Sequence, residues 1–348
     1  MALTVYTFNP LEDARWKEFV QRHPRASVFH TTGWLRALQR TYGYQPAVYT
    51  TSRPGAMLAN GIVFCRIRSW LTGRRMVSLP FADHCELLVE SCEERDELFS
   101  SLRRALDQER LQYIEMRPLS MDLAAEHSLQ TSNLYCFHTL DLRPSLESLF
   151  RGFQKDSIQR KVRRAEREAL RYEQGRSEAH LNDFYHLLLL TRRRHGLPPQ
   201  PVEWFRNLMT FLRDRLTIHV ASYRQRPVAS ILTINHRDTL VYKYGCSDAS
   251  HHPLGGMPFL FWKAIQEAKK RGMQVFDFGR SDSTNEGLIR FKDRFGTTRS
   301  NLAYGRICAV SAAQIGEAHS MQLAKRIFAH MPDGMLTAAG RLLYRHIA

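Results

Sequence analysis

The sequence predicts an α/β protein (α+β in its sheet pairing) made of two tandem domains of one fold, each a mixed sheet flanked by helices. Three observations carry that expectation. Patterns with strand and helix periodicity take turns along the chain. Two stretches roughly 165 residues apart read alike, a spacing far too long for a solenoid repeat. The chain has 348 residues, too many for one ordinary domain and suited to two at roughly 100 to 200 residues each.

Taken in order, apolar alternation marks strands near 45–51, 57–67, 111–117, 217–223, 228–235, 239–245 and 274–279. Helical periodicity marks 33–41, 94–109, 157–171, 180–195, 202–213 and 257–271. The helix ending TRRRHGLPPQP stops where Gly196 supplies a C-cap and the prolines prevent continuation. Arg192 to His195 in its last turn complement the helix dipole. His236, Arg237 and Asp238 read as a hairpin turn between two strands. With Asp277, Phe278 and Gly279 they imitate kinase motifs, but Lys243 stands where the catalytic loop needs Asn, and no glycine-rich loop or strand lysine precedes them. ALDQERLQYIEMR (105–117) aligns without gaps on EAKKRGMQVFDFG (267–279), setting Glu115 opposite Asp277. Likewise 47–64 and 218–234 both read strand, polar turn, strand. Domains are therefore expected over 1–145 and 146–310, followed by a basic amphipathic tail over 311–348.

The net charge of +16 and pI near 9.9 favour an anionic partner: nucleic acid, a phosphorylated substrate or an acidic membrane face. No segment reaches the ~18 consecutive apolar residues of a spanning helix. MALTVYTFNP has no basic region before an apolar core, so a cytoplasmic location is expected. The cysteines at 65, 85, 92, 136, 246 and 308 form no CxxC pair and read as free thiols. Cys246 with His251 and His252 lacks the spacing of a zinc site, and no metal is expected.

In SIQRKVRRAEREALR (157–171), Ile158, Val162, Ala165 and Ala169 share one helix face, while Arg160, Arg163, Arg164, Arg167 and Arg171 crowd the other. Guanidiniums on one stripe repel unless an anion neutralises them, and their fork geometry suits phosphate. A merely solvated face is the alternative. Gly255 and Gly256 open the helix over 257–271, where backbone N–H groups can approach a pyrophosphate or a carbonyl oxygen. No GxGxxG or GxxxxGK[ST] accompanies them, which argues against dinucleotide and P-loop sites. Tyr244, on the strand LVYKYGCSD, is a further candidate for substrate contact.

In GLIRFKDRFG (287–296), Leu288, Ile289 and Phe295 share a helix face with Lys292, whereas Arg290 and Arg294 point away. An ammonium so placed either snorkels out along its stem or sits partly desolvated. In a pocket beside the strand end carrying Asp277, Arg280 and Ser281 it would meet negative charge developing on a carbonyl oxygen, which is oxyanion stabilisation.

The order VFDFGRS, loop, RFKDRFG, strand, preceded by the SIQRKVRRAERE helix and by FHTTGWLRAL, resembles the double-GNAT-fold acyltransferases related to the Fem aminoacyltransferases of peptidoglycan bridges. Among these it is most similar to Gram-negative members associated with exosortase and extracellular polysaccharide loci, and the likeness spans about residues 25–308. The resemblance implies two GNAT-like domains and an N-acyltransferase. It would move an acyl or aminoacyl group from acyl-CoA or aminoacyl-tRNA, used as co-substrate rather than a tightly bound cofactor. The acceptor it implies is an amine of a phosphorylated, nucleotide-linked or lipid-linked sugar precursor of the envelope or an exopolysaccharide. By the same resemblance Phe291 and Lys292 stand at the Phe-Lys pair important in Fem enzymes, and Trp34 stands at an aromatic position of the first-domain helix. Arg192 to Arg194 fall where a phosphate-binding arginine is contributed. Two departures are visible: no inserted helical arm, and a CoA-cradling glycine signature reduced to LGGMP.

The primary expectation is thus that Lys292 stabilises a tetrahedral oxyanion, while Asp277 accepts the amine proton or serves its strand. The arginine stripe, with Arg192 or Arg194, would hold a phosphorylated carrier. The rival class is a non-catalytic nucleic-acid or phosphate-binding protein, which the basic balance alone would support. In the tail, MQLAKRIFAHM and MLTAAGRLLYRHI suit either docking on the inner membrane face or packing back on the core.

Overall fold

In the computed structural model the described residues are 3–119, 129–308 and 326–347. Their strands, in chain order, are β1 (Tyr6–Phe8), β2 (Gln45–Thr50), β3 (Ile62–Ser69), β4 (Gly73–Val77), β5 (Tyr113–Met116), β6 (Gln130–Asp141), β7 (Arg171–Gly175), β8 (Leu216–Tyr223), β9 (Arg226–His236), β10 (Thr239–Ser247), β11 (Val275–Asp282) and β12 (Thr298–Cys308). The helices are α1 (Ala14–Arg22), α2 (Thr32–Tyr42), α3 (Cys92–Gln108), α4 (Leu146–Gly152), α5 (Arg160–Arg167), α6 (Glu178–Arg194), α7 (Val202–Leu212), α8 (Gly256–Lys270), α9 (Glu286–Asp293) and α10 (Asp333–Leu343).

The chain divides into two compact units, one of Met1–Leu134, Leu302–Gly316 and Leu342–Ala348, the other of Tyr135–Asn301 and Glu317–Arg341. This departs from the expected limits in three places. The division falls inside β6 rather than at 145, the chain from Leu302 returns to the first unit, and the tail is shared out rather than separate. The return has a backbone cause: the end of β12 pairs antiparallel with β5, Gly305 opposite Met116, and satisfies that strand's hydrogen-bonding groups.

In the first unit the strand order is β1-β2-β3-β4-β5-β12. Strands β2, β3 and β4 form an antiparallel meander, α3 crosses over, and β5 returns parallel to β4. Ser91 starts α3 by accepting the Glu94 N–H. The apolar face of that helix, Leu98, Phe99, Leu102 and Leu106, then packs on Tyr49, Phe64, Met76 and Ile114. In the second unit the order is β6-β11-β10-β9-β8-β7. Here β8, β9 and β10 form the meander, α8 crosses over, and β11 returns parallel to β10. Phe261, Ala264 and Ile265 of α8 share a core with Ile231, Phe276 and Phe278, closed from the side by Val162 and Ala165 of α5. The two aligned sequence segments therefore occupy the same place in both units, a crossover helix running into the strand it delivers.

Glu115 on β5 and Asp277 on β11 are both buried. Around Glu115 the space is closed by ions: its carboxylate accepts from Arg117 Nη2 at 2.8 Å and Arg306 Nη2 at 2.7 Å. Arg117 also donates to the Leu79 carbonyl at 2.7 Å. Burial pushes the Glu115 carboxyl up, yet the two guanidiniums together hold it below its ordinary value.

The tail packs on protein. Leu336 of α10 is buried, a Cβ at Gly340 would run into the Pro199 carbonyl oxygen, and Asp333 and Arg341 pair with Arg193 and Glu203. Farther on, Tyr44 donates to the Tyr344 carbonyl at 2.9 Å, and the His346 carbonyl accepts from Thr72 and Arg75, both at 2.7 Å. Of the tail helix expected over 321–331, residues 321–325 lie outside the described residues. No helix among the described residues is long and apolar enough to cross a membrane.

Removing Glu115 leaves Arg117 buried without its carboxylate. Glu115→Ala is expected to destabilise the chain by about 3–5 kcal/mol, read as a lowered midpoint in chemical denaturation.

Candidate active site

Helix α9 begins at Asn285, whose Oδ1 accepts the Leu288 N–H at 3.1 Å, and its outer face carries an i,i+4 pair between Glu286 and Arg290 at 2.6 Å. The inner face is held by aromatic packing: Phe291 meets Phe261 edge to face at 5.5 Å and Phe295 at 5.3 Å. Between these anchors Lys292 is only 2% exposed. It does not snorkel. Its Nζ donates to the carbonyls of Gly279 and Arg280, each at 2.9 Å.

Those two carbonyls are presented by an irregularity in β11. Pairing with β6 shifts register between Asp277 and Arg280, and Gly279 takes φ +69°, in the left-handed region that favours glycine. Asp277 Oδ1 holds the kink by accepting the Gly279 N–H at 2.6 Å. Consecutive carbonyls thereby turn toward one ammonium, which a regular strand with alternating carbonyls cannot do. Ser281, next along, is buried with its Oγ unbonded among the described residues.

Two residues of this cluster carried no signal in the sequence. His138, on β6 between the residues that pair with Arg280 and Asp277, is fully buried. Its Nε2 lies 3.0 Å from Asp293 Oδ1. A carboxylate only accepts, so Nε2 carries the proton and Nδ1 the lone pair. That Nδ1 has no hydrogen-bond partner among the described residues. Burial and then the charge of Lys292 lower the His138 pKa, against the opposing pull of Asp293. His138 escaped notice because antiparallel pairing, not sequence proximity, brings it to Lys292; Asp293 looked like one more surface charge.

Several expected contacts turn out otherwise. Trp34 is wholly enclosed and meets Phe29 edge-on at 4.9 Å, so it serves the core of the first unit and has no face for a substrate. Tyr244 is equally committed, its hydroxyl accepting from Gln200 and Trp204 at 2.9 Å each. Gly255 has φ +80°, and a Cβ there would stand 2.5 Å from the Lys161 carbonyl oxygen; one on Gly256 would stand 3.0 Å from Ala229 Cβ. Close packing of α8 against α5 and β9 accounts for both glycines. The arginine stripe is shorter and less bare than its helical wheel suggests. Arg171 lies on β7 beside Glu173 at 2.9 Å, Arg160 is 3.6 Å from Asp156, Arg164 is 3.8 Å from Glu168, and Arg163 lies over the Phe150 ring at 5.7 Å. Acids one turn away supply the counter-charge that the stripe lacks within itself. Arg167 has no ion-pair partner among the described residues. The Arg280 guanidinium covers the Tyr135 ring at 4.2 Å.

A second cluster forms where α6 ends and α8 begins. Arg194 Nη1 lies 3.4 Å from His252 Nε2, which also meets Ser247 Oγ at 2.8 Å. Burial, then Arg194 and Lys161, lower the His252 pKa; burial, then Arg194 and Arg192, lower that of His195. The Arg192 side chain has no hydrogen-bond or ion-pair partner among the described residues. Burial is the first cause at both imidazoles, and the second, the charges of Arg192, Arg194 and Lys161, gathers positive charge that favours an anion.

Residues 152–293 match the family described as acetyltransferase (GNAT) domain, a range that ends one residue past Lys292. The chain is similar to Fem-type transferases. It is 25% identical over 162 residues to the UDP-N-acetylmuramoylpentapeptide-lysine N(6)-alanyltransferase of Weissella viridescens, a match covering 45% of this chain and 44% of that one. The chain thus spans less than half the length of that relative. The structure of FemX superposes with TM-score 0.68 at 14% identity, covering 88% of this chain and 97% of that one. A tandem GNAT protein from the clavulanic acid biosynthesis pathway does so with TM-score 0.55 at 10% identity, covering 88% and 99%. At these identities the structural likeness establishes the tandem fold.

The buried imidazoles set a pH dependence. His219, bonded to Tyr172 and Thr233 at 2.8 Å each, is pushed down to about 3, by burial first and the Arg271 charge second. Histidines with depressed native pKa values take up protons more readily when unfolded, so stability is full above the ordinary histidine value of about 6.5 and falls as pH drops below it. Between pH 7 and 5 the loss from His219 alone is expected to be about 2 kcal/mol. Denaturation midpoints across that range should show it, and His219→Gln should flatten the slope.

Proposed function

We propose that this protein is an N-acyltransferase in which an acceptor amine attacks the carbonyl carbon of an activated acyl or aminoacyl donor. The observation that carries the reading is the Lys292 ammonium, desolvated and held on the Gly279 and Arg280 carbonyls. As nitrogen adds to the carbonyl, the C=O electron pair moves to oxygen, and a fixed positive charge at short range lowers the energy of that oxyanion. Collapse of the tetrahedral intermediate expels the donor's thiolate or ribose oxygen, which takes up the proton lost by the amine. Asp277 acts by position: its carboxylate, bonded to the Gly279 N–H, maintains the kink that aims the lysine's carbonyl partners. Phe291 keeps α9 seated in the aromatic core.

The donor is acyl-CoA or aminoacyl-tRNA, both rich in phosphate, and the positive potential around Arg192, Arg194 and His252 supports a phosphate seat there, with Arg167 at the edge of α5. The acceptor is an amine on a phosphorylated, nucleotide-linked or lipid-linked sugar precursor of the cell envelope or an exopolysaccharide. What supports this choice is the relative's own acceptor, a UDP-linked muropeptide lysine by its name.

Thermal-shift screening against acyl-CoA, charged tRNA and nucleotide sugars identifies the co-substrates, because a ligand of the native state raises its melting temperature. With the pair in hand, Lys292→Ala is expected to lower turnover on the order of 10²-fold or more while far-UV circular dichroism stays unchanged. Undiminished turnover removes Lys292 from the mechanism. Salt-sensitive tRNA or DNA binding without any turnover, indifferent to Lys292→Ala, would instead mark a nucleic-acid binder. Asp277→Asn, which keeps an oxygen acceptor for Gly279, should retain activity within a few-fold; a loss as deep as that of Lys292→Ala would make Asp277 the proton acceptor.

A further inference from the structure

The first unit carries a surface that the proposed chemistry does not use. At the tip of the β3–β4 hairpin Trp70 is 80% exposed and Leu71 51% exposed. The other tryptophans, Trp16, Trp34, Trp204 and Trp262, are all buried, so a solvent-facing indole is against the habit of this molecule. The tip is rigidly backed. The Trp70 ring stands edge-on to His346 at 5.5 Å, Ser69 Oγ lies 3.0 Å from His346 Nδ1, and Thr72 and Arg75 bind the His346 carbonyl. Ile347, the residue after His346, is 57% exposed, and Leu342, four residues before His346, is 58% exposed.

Behind the apolar tip the charge is of one sign. Arg68 and Arg74 stand directly opposite each other across the β3–β4 pair, an arrangement that repels unless an anion is shared between them. Both are exposed, as is Arg345, and none of the three has an acidic partner among the described residues. Burial, then Arg345 and Arg75, lower the pKa of His346, so that ring adds no charge of its own near neutrality.

We propose that this hairpin tip and the adjoining chain end dock the protein on an anionic lipid surface. Trp70, Leu71 and Ile347 enter the boundary between headgroups and acyl chains, and Arg68, Arg74 and Arg345 meet the lipid phosphates. An indole suits that boundary because it is apolar in body and polar at one edge, and paired guanidiniums suit phosphate. A single apolar wedge with a few cations gives reversible binding that weakens with salt. The inference stands apart from the role given to Lys292.

The test uses the full chain, floated with vesicles of phosphatidylcholine alone or mixed with phosphatidylglycerol, and lipids with brominated acyl chains as quenchers. Binding to the mixed vesicles only is expected, with bromine quenching of Trp70, the one accessible indole. The exposed-site double variant Trp70→Ala/Leu71→Ala should lower partitioning on the order of tenfold, and Arg68→Gln/Arg74→Gln should remove most of the salt dependence. Lys292→Ala should bind as the parent does. Failure to bind mixed vesicles at low salt, or binding indifferent to both double variants, overturns the proposal. So does a concentration-dependent dimer abolished by Trp70→Ala/Leu71→Ala, which would mean that a second copy covers this face.

Discussion

The second unit is organised around one buried ammonium. Taking a lysine out of water is expensive by several kcal/mol unless its N–H donors find acceptors, and Lys292 finds two in consecutive carbonyls of β11. Hydrogen bonds to a charged donor contribute roughly 1.5–3 kcal/mol each, so together they offset much of the desolvation. They exist only because Gly279 accepts a left-handed backbone and Asp277 ties down its N–H. The helix that delivers the lysine is in turn seated by the cluster of Phe261, Phe278, Phe291 and Phe295. Core packing, strand irregularity and charge therefore form a single dependency, and a change in any one is felt at the nitrogen.

The first unit has the same order of elements and a different electrostatic solution. Where Asp277 holds a glycine amide, Glu115 holds two guanidiniums, and in the aligned segments Arg117 stands at the place of Gly279. Arg117 reaches the Leu79 carbonyl itself and lies over the Tyr304 ring at 4.9 Å. In that network both guanidiniums are committed to the Glu115 carboxylate. One backbone scheme thus supports an ion-locked core in one copy and a lysine on neutral carbonyls in the other.

The high net charge resolves into local balances. Arg160 and Arg164 on α5 and Arg290 on α9 pair with acids one turn away, and their charge is largely spent at home. Among the described residues, the cations without an acidic partner include Arg192 near the junction of α6 and α8 in the second unit and Arg68 and Arg74 at the β3–β4 tip in the first. The excess is informative where neighbouring acids are missing, not in its total.

Much of the fold was legible in the chain, because periodicities of 2 and 3.6 residues are local and survive in any tertiary setting. The seven strands read from alternation and the crossover helices fall within about five residues of their expected places, though β1, β4, β6, β7 and β12 were not among them, and the internal repeat announced two units of one kind. Of the site, Lys292 stood out as an ammonium on an apolar face, and Asp277 and Arg280 stood beside it. By itself, then, the sequence determined the elements, their repetition and the oddity of one lysine. Only the tertiary structure decided that β12 returns to the first unit, that Trp34, Tyr244 and the glycine pair belong to packing, and that His138 and Asp293 join Lys292. Burial and cross-strand register depend on residues far apart in the chain, and no local pattern encodes which distant strand will lie alongside.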